Sequence, residues 1–170
     1  MVYLKQIKSK KRIGEYGEVF TNDREVDAML DLVQDSFESI DSTFLEPSVG
    51  EGNFAIKILE RKISLIESKY AKKSQSYLRA LVKAVASIYG IELLIDNVLV
   101  CRKRLYDYVS LYTKSKKTLN TIQMILEKNI INGNTLTMKT INDEPITFFE
   151  WKYNKNKLIG VPQTLISMLS

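Results

Sequence analysis

Glu46, Gly50, Gly52 and Glu92 are the residues whose types and spacing could do chemistry together. In "FLEPSVGEGNF", residues 44–54, an apolar stretch ends in an acid and a proline, then passes two glycines into a helical pattern. Glycines at such a place take dihedrals closed to other residues and let a ligand approach the main chain. A helix starting there offers unpaired N–H groups. A second strand-like run, "SIYGIELL", carries Glu92 two residues beyond Gly90. A carboxylate at a strand tip can accept hydrogen bonds from both hydroxyls of a ribose. Together these features suit a nucleotide-like cofactor. Taken singly, Gly-x-Gly is a tight turn and Glu92 is a surface glutamate at a strand end.

Composition removes several alternatives. One cysteine, Cys101, leaves no internal disulfide, and the absence of histidine removes cysteine/histidine zinc sites and histidine-based triads. A general base would have to be Asp, Glu, Lys or Tyr. The 170 residues suffice for one domain with a core, and 45% hydrophobic with 26% charged residues is ordinary for a globular chain. The formal charge of +5 permits nucleic-acid binding without arguing for it. No apolar run reaches the length of a membrane span, and no hydrophobic segment follows the N-terminal lysines, so the expectation is a cytoplasmic protein without a membrane partner.

The elements that must position these residues alternate between helix and strand, which predicts an α/β sheet. "TNDREVDAMLDLVQDSF" reads as a helix capped by Thr21 or Asn22, with Val26, Met29, Leu30, Leu32, Val33 and Phe37 as its buried stripe. "STFLEP" is a short strand. "NFAIKILERKISLIESKY" is a helix with Phe54, Ile58, Leu59, Ile63 and Ile66 at helical spacing. "SQSYLRALVKAVAS" is a helix capped by Ser74 or Ser76, and "IYGIELL" is a strand. Asp96 or Asn97 opens the next helix, "KKTLNTIQMILEKN" continues in helix, and "IIN" is a brief strand ending at Gly133. The tail, residues 139–170, is β-rich, with turn signals "NDEP" and "NKNK" that predict a hairpin or meander. Residues 1–14 form a basic arm, with five positive charges between residues 5 and 12, read either as solvated or as contacting phosphates. Tyr106, Tyr108 and Tyr112, beside Arg102, Lys103 and Arg104, read as a half-buried helix face or a nucleic-acid surface. Phe148, Phe149 and Trp151 read as sheet packing or base stacking.

Four stretches in order carry a resemblance: "GEYGEVFTNDREVDAMLDL", "FLEPSVGEGNFAIKILERKI", "SIYGIELLIDNVLVCRKRL" and "NIINGNTLTM". Across roughly residues 10 to 138, and more loosely into "EPITFFEW", the chain resembles the S-adenosylmethionine-dependent DNA adenine N6-methyltransferases, the modification subunits of restriction systems. The resemblance implies a single domain with a Rossmann-like class I methyltransferase sheet, flanking helices, an N-terminal helix and a C-terminal β-hairpin. It implies S-adenosylmethionine as cofactor. Phe20 and Thr21 would contact its methionine part, Glu46, Gly50 and Gly52 would form the cofactor turn, and Glu92 would take the ribose. Leu93 would cover the adenine ring. Asn134 stands where the family often has an aspartate that bonds the adenine amino group, and "FTND" departs from the family's common "FTP".

The family also uses Asn or Asp, two prolines and an aromatic to hold the target amine in line with the methyl, with the target base flipped out of the duplex. Here Pro47, Pro145 and Pro162 are the only prolines and none are adjacent, so that motif is absent and "NDEP" reads as a hairpin turn. Three functions follow from the sequence. One is an S-adenosylmethionine-binding, DNA adenine methyltransferase-like protein completed by a partner chain. The second is a catalytically silent binding protein on the same scaffold, such as a mobile-element or phage inhibitor of a host defence enzyme. The third is a methyltransferase acting on RNA or protein through an unrecognised acceptor site.

Overall fold

The computed structural model describes Arg12, Gly14 and residues 21–169. Most of the basic arm and Phe20 lie outside the described residues.

Helix α1 (Asp23–Asp31) starts where Asn22 Oδ1 accepts the Glu25 N–H at 3.1 Å, and Asp23 and Glu25 in its first turn suit the positive end of its dipole. It is shorter than its apolar pattern predicts. Val33 leaves helical geometry at φ −118° and ψ 31°, and a 3-10 turn, Gln34–Phe37, follows. The break re-phases the chain, so Val26, Leu30 and Phe37 are buried while Met29, Leu32 and Val33 face solvent, Leu32 at 85% exposure.

Strand β1 (Phe44–Glu46) leads through the glycine turn to α2 (Asn53–Lys69) and α3 (Gln75–Ala86), and then to β2 (Ile88–Glu92). Helices α4 (Ile95–Ser110) and α5 (Lys116–Asn129) connect β2 to β3 (Ile130–Asn134). β1, β2 and β3 are parallel neighbours in that order, and β4 (Lys139–Thr140) closes the sheet antiparallel to β3. Parallel neighbours need long crossovers, and each of the two here carries a helix pair. The chain is thus an α/β protein with a mixed four-stranded sheet and flanking helices.

β2 is central and buried along its length, as a strand covered on both faces should be. Ile88 joins Ile58, Ile63, Leu81 and Ile125 in the helix-covered core. Tyr89 and Ile91 point the other way, into a smaller cluster with Ile146, Phe148 and Leu165. Phe148 comes from the hairpin of β5 (Thr147–Asn154) and β6 (Lys157–Thr164), which the "NKNK" turn signal predicts, and Leu165 opens the short α6 (Leu165–Leu169). Further along the hairpin Trp151 packs over Gly160 and against the main core. Buried Asn129 joins these parts: its Nδ2 donates to Ala86 O at 3.1 Å, and its Oδ1 accepts from Phe149 N and Trp151 Nε1 at 3.3 Å each. The hairpin aromatics are packing residues in this fold. No helix among the described residues is long and apolar enough to cross a membrane.

One buried charge sits in this core. Lys62, with 0% exposure, donates from Nζ to Ile40 O at 2.8 Å and Ser42 O at 2.6 Å, and lies 5.2 Å from the centre of the Phe44 ring. These bonds satisfy the carbonyls of the segment entering β1. Burial pulls the ammonium down from 10.5 to about 8, opposed in part by the Asp41 carboxylate. The neutral amine keeps two N–H donors, enough for both carbonyls. A lysine lowered on folding binds fewer protons folded than unfolded, so stability gains as pH rises from about 8 towards 10.5. The unfolding free energy of the native chain minus that of Lys62→Met should therefore rise by about 1 kcal/mol between pH 7 and pH 9 in urea titrations. A difference that stays flat or falls would contradict this account of Lys62.

Candidate functional site

The carboxyl ends of the three parallel strands carry the residues singled out by the sequence. The register aligns Glu46 with Gly90 and Glu92 with Asn132. Glu46, Glu92 and Asn134 therefore step outward by two residues per strand along one end of the sheet.

Glu92 is the centre of this end. Its carboxylate is 7% exposed, with Oε2 accepting the Gly50 N–H at 2.9 Å and Oε1 accepting the Leu94 N–H at 2.8 Å. One oxygen therefore holds the glycine turn and the other holds the chain leaving β2. Each oxygen keeps a further lone pair for a second donor. Two charge-assisted bonds to backbone amides fix this buried carboxylate firmly.

The turn is held from every side. Val49 N–H donates to Ile91 O at 2.9 Å and Gly52 N–H to Val49 O at 2.8 Å. Arg104 Nη1 on α4 donates to Glu51 O at 2.7 Å and to Asn53 Oδ1 at 2.9 Å. Asn53 Nδ2 in turn donates to Thr21 O at 2.9 Å, which ties Thr21 to the start of α2. Gly50 and Gly52 have φ of +53° and +86°, in the left-handed region that favours glycine. A Cβ on Gly52 would also lie 2.7 Å from Cys101 Sγ, so the turn presses against the buried, free cysteine of α4. Gly52 caps α2 with no side-chain hydrogen bond, and no acid occupies the helix's first turn. Among the described residues no side chain caps the N-terminal amides of this 17-residue helix, which begin at the site.

The other expected contacts differ in character. Leu93 is 45% exposed and presents an apolar surface beside Glu92. Glu46 is half-buried. Burial raises its carboxyl above the usual range, and a hydrogen bond from the Ser48 backbone opposes the rise. Asn134 spends its side-chain acceptor locally: Oδ1 takes the Leu136 N–H at 2.9 Å in an Asx turn. The helix α4 begins at Ile95 with Leu94 as its cap, rather than at Asp96 or Asn97. Arg12 explains part of this, because its guanidinium bonds Asp96 Oδ2 at 2.7 Å and Asn97 Oδ1 at 3.3 Å. Arg12 and Thr21, one on each side of residues 13–20, are thereby anchored at the starts of α4 and α2.

Several functional neighbours have no sequence motif. Asn132 Nδ2 donates to Glu92 O and Leu93 O, both at 2.9 Å, clamping the exit of β2. A polar residue closing the apolar run "IIN" was its one visible signal. Arg104 stood in a basic-aromatic helix whose half-buried reading the structure favours: Arg102 bonds Ile130 O, Lys103 pairs with Asp107, and the Tyr108 and Tyr112 hydroxyls meet at 3.0 Å. "NDEP" is a turn, with Asp143 N–H donating to Thr140 O at 3.1 Å and Thr140 N–H to Glu144 O at 2.8 Å. No cluster of metal-ligating side chains occurs among the described residues. Two clefts, of about 340 and 400 Å³, lie away from the glycine turn.

No protein-family model matches the chain, and neither a curated protein nor a solved structure matches it.

The Gly52–Cys101 contact makes a quantitative expectation. Gly52→Ala should destabilise the chain by about 2–3 kcal/mol, from left-handed strain plus collision with the sulfur. Gly50→Ala meets nothing within 4 Å and should cost only about 1 kcal/mol. Adding Cys101→Ala to Gly52→Ala should recover the collision part, read as a non-additive coupling in denaturant melts. Strict additivity would show that the contact does not constrain the turn.

Proposed function

We propose that the chain binds S-adenosylmethionine at the carboxyl ends of β1 and β2, as the cofactor-holding part of a DNA adenine N6-methyltransferase-like protein with a Rossmann-like class I sheet. The observation that carries this reading is the Glu92–Gly50 hydrogen bond of 2.9 Å, which couples an acidic strand end to a glycine turn at a helix start. Ligands of open α/β sheets bind at the carboxyl ends of the strands, and a ribose diol needs a fixed carboxylate there.

The residues present fit the group. The spare lone pairs of Glu92 accept the two ribose hydroxyls. Leu93 offers apolar cover to the adenine ring. The uncapped start of α2 favours the carboxylate of the methionine part. The fit is poorest at Asn134, whose side-chain oxygen already serves its own turn and has one lone pair left for an adenine amino group. When bound, the cofactor supplies an electrophilic methyl on sulfur. This chain's residues orient and enclose it, while the acceptor clamp of two adjacent prolines is absent from the sequence. A protein partner carrying that clamp, and DNA as the methyl acceptor, complete the reading.

Calorimetric titration with S-adenosylmethionine and S-adenosylhomocysteine tests the proposal. Both are expected to bind, and Glu92→Ala should weaken each by roughly 1–3 kcal/mol while the circular dichroism spectrum is retained. No heat and no thermal shift at millimolar ligand would reject the cofactor assignment. The chain alone is expected to transfer no labelled methyl to adenine-containing DNA. Robust transfer would mean that it holds an acceptor site of its own.

A further inference from the structure

The edge of a β-sheet presents unpaired N–H and C=O groups, and folded proteins cover or blunt such edges. Most edges here are treated in that way. The outer side of β4 meets residues 144–146: Thr140 N–H donates to Glu144 O at 2.8 Å, and Ile146 N–H donates to Met138 O at 3.0 Å. The outer side of β5 meets Asn129, whose Oδ1 accepts the Phe149 N–H. Because that amide faces away from β6, the residue opposite it, Pro162, turns its nitrogen to the outer edge of β6. Proline has no N–H to offer there, which blunts the edge.

Strand β1 is the exception. It ends the strand order, with β2 as its one neighbour among the described residues. Phe44 N–H donates to Ser87 O at 2.9 Å, and the parallel register sets Phe44 opposite Ile88 and Glu46 opposite Gly90. Backbone groups along a strand alternate sides, so Phe44 and Glu46 bond β2 while Leu45 turns its N–H and C=O away from the sheet. Neither group of Leu45 meets a partner among the described residues. No lysine, proline or glycine interrupts the three residues of the strand.

This edge is suited to a further strand. Phe44 and Leu45 are half-buried, Phe44 against the helix-covered core and Leu45 against the smaller cluster on the other face. A strand laid beside them finds apolar neighbours on both faces. The edge is also held in place. Lys62 bonds Ile40 O and Ser42 O just before it, and Glu92 bonds the Gly50 amide just after it. A surface fixed in advance costs little ordering on binding.

Its place in the sheet says what belongs there. In open α/β sheets the ligand crevice forms where the strand order reverses, between loops that leave neighbouring strands in opposite directions. Here β1, β2 and β3 run in one direction from the edge, so the glycine turn after β1 gives one wall of a crevice and no described strand gives the other. We propose that the open edge of β1 receives an extended segment of a partner chain, added as a parallel strand that completes the crevice. Parallel addition brings the carboxyl end of that segment beside the glycine turn. Two adjacent prolines cannot continue a strand, so the acceptor clamp absent from this sequence fits at that end. The choice of partner rests on the cofactor reading, whereas the open edge does not.

Amide hydrogen exchange, followed by NMR on the full chain without cofactor, tests the proposal. The probe is a synthetic peptide in which alternating valine and threonine lead into asparagine, two prolines and tyrosine. In the chain alone the Leu45 amide should exchange far faster than those of Phe44 and Glu46. Excess peptide should slow Leu45 exchange by about tenfold or more and leave Phe44 and Glu46 as they were. The same peptide N-methylated at every valine and threonine should have no effect. A Leu45 amide already protected in the chain alone would show a covered edge and overturn the proposal, and dimerisation in sedimentation would then assign that edge to a second copy. Unchanged Leu45 exchange at millimolar peptide, or equal slowing by the N-methylated peptide, would overturn it too. S-adenosylmethionine takes no part in these readouts, so its failure to bind would be a separate result.

Discussion

A buried carboxylate organises the carboxyl end of this sheet. Glu92 accepts one amide from the glycine turn and one from its own exit loop, so β1's turn and β2's end cannot move independently. Such a group is expensive to bury without partners and strongly placed with them. The other features of this end serve the same arrangement. Asn132 clamps the Glu92 and Leu93 carbonyls from β3, and Arg104 grips the turn from α4. Gly52 allows the chain to pass close to Cys101 and enter α2.

Several features gather at this end of the sheet: two left-handed positions filled by glycine, a turn packed close to Cys101, a helix start without a side-chain cap from Gly52, and a half-buried Glu46 with a raised carboxyl. The core below supplies the rigidity: β2 is buried on both faces, and both crossovers lay paired helices on the sheet. Lys62 and Asn129 satisfy backbone groups inside that core, so the strand starts are as well fastened as the strand ends.

What was legible in the sequence was local. The strand of residues 44–46, the glycine turn, α2 and β2 follow from apolar runs punctuated by glycine, and Asn22 and Ser74 cap their helices as their side chains predict. The hairpin follows from its turn residues. What was not legible depends on register and on distant partners. The early end of α1 has no glycine or proline to announce it, and Leu94 displaces Asp96 at the start of α4 because Glu92 holds the Leu94 amide. Asn132, Arg104 and Asn53 act through backbone groups far away in sequence, and no spacing rule identifies them. Lys62 is buried on α2, and nothing in its sequence neighbourhood announces that its ammonium serves the carbonyls of Ile40 and Ser42.

The central claim is that the Glu92–Gly50 coupling builds a cofactor site. Amide-resolved NMR titration of the chain with S-adenosylhomocysteine tests it most directly. The account predicts that the largest shift changes fall on Gly50 and Gly52 in the glycine turn and on Leu93 and Leu94 at the exit of β2, the two segments that Glu92 joins through the Gly50 and Leu94 amides. Saturable shifts centred elsewhere, such as the cleft between α4 and α5, with these four amides unmoved, would contradict it.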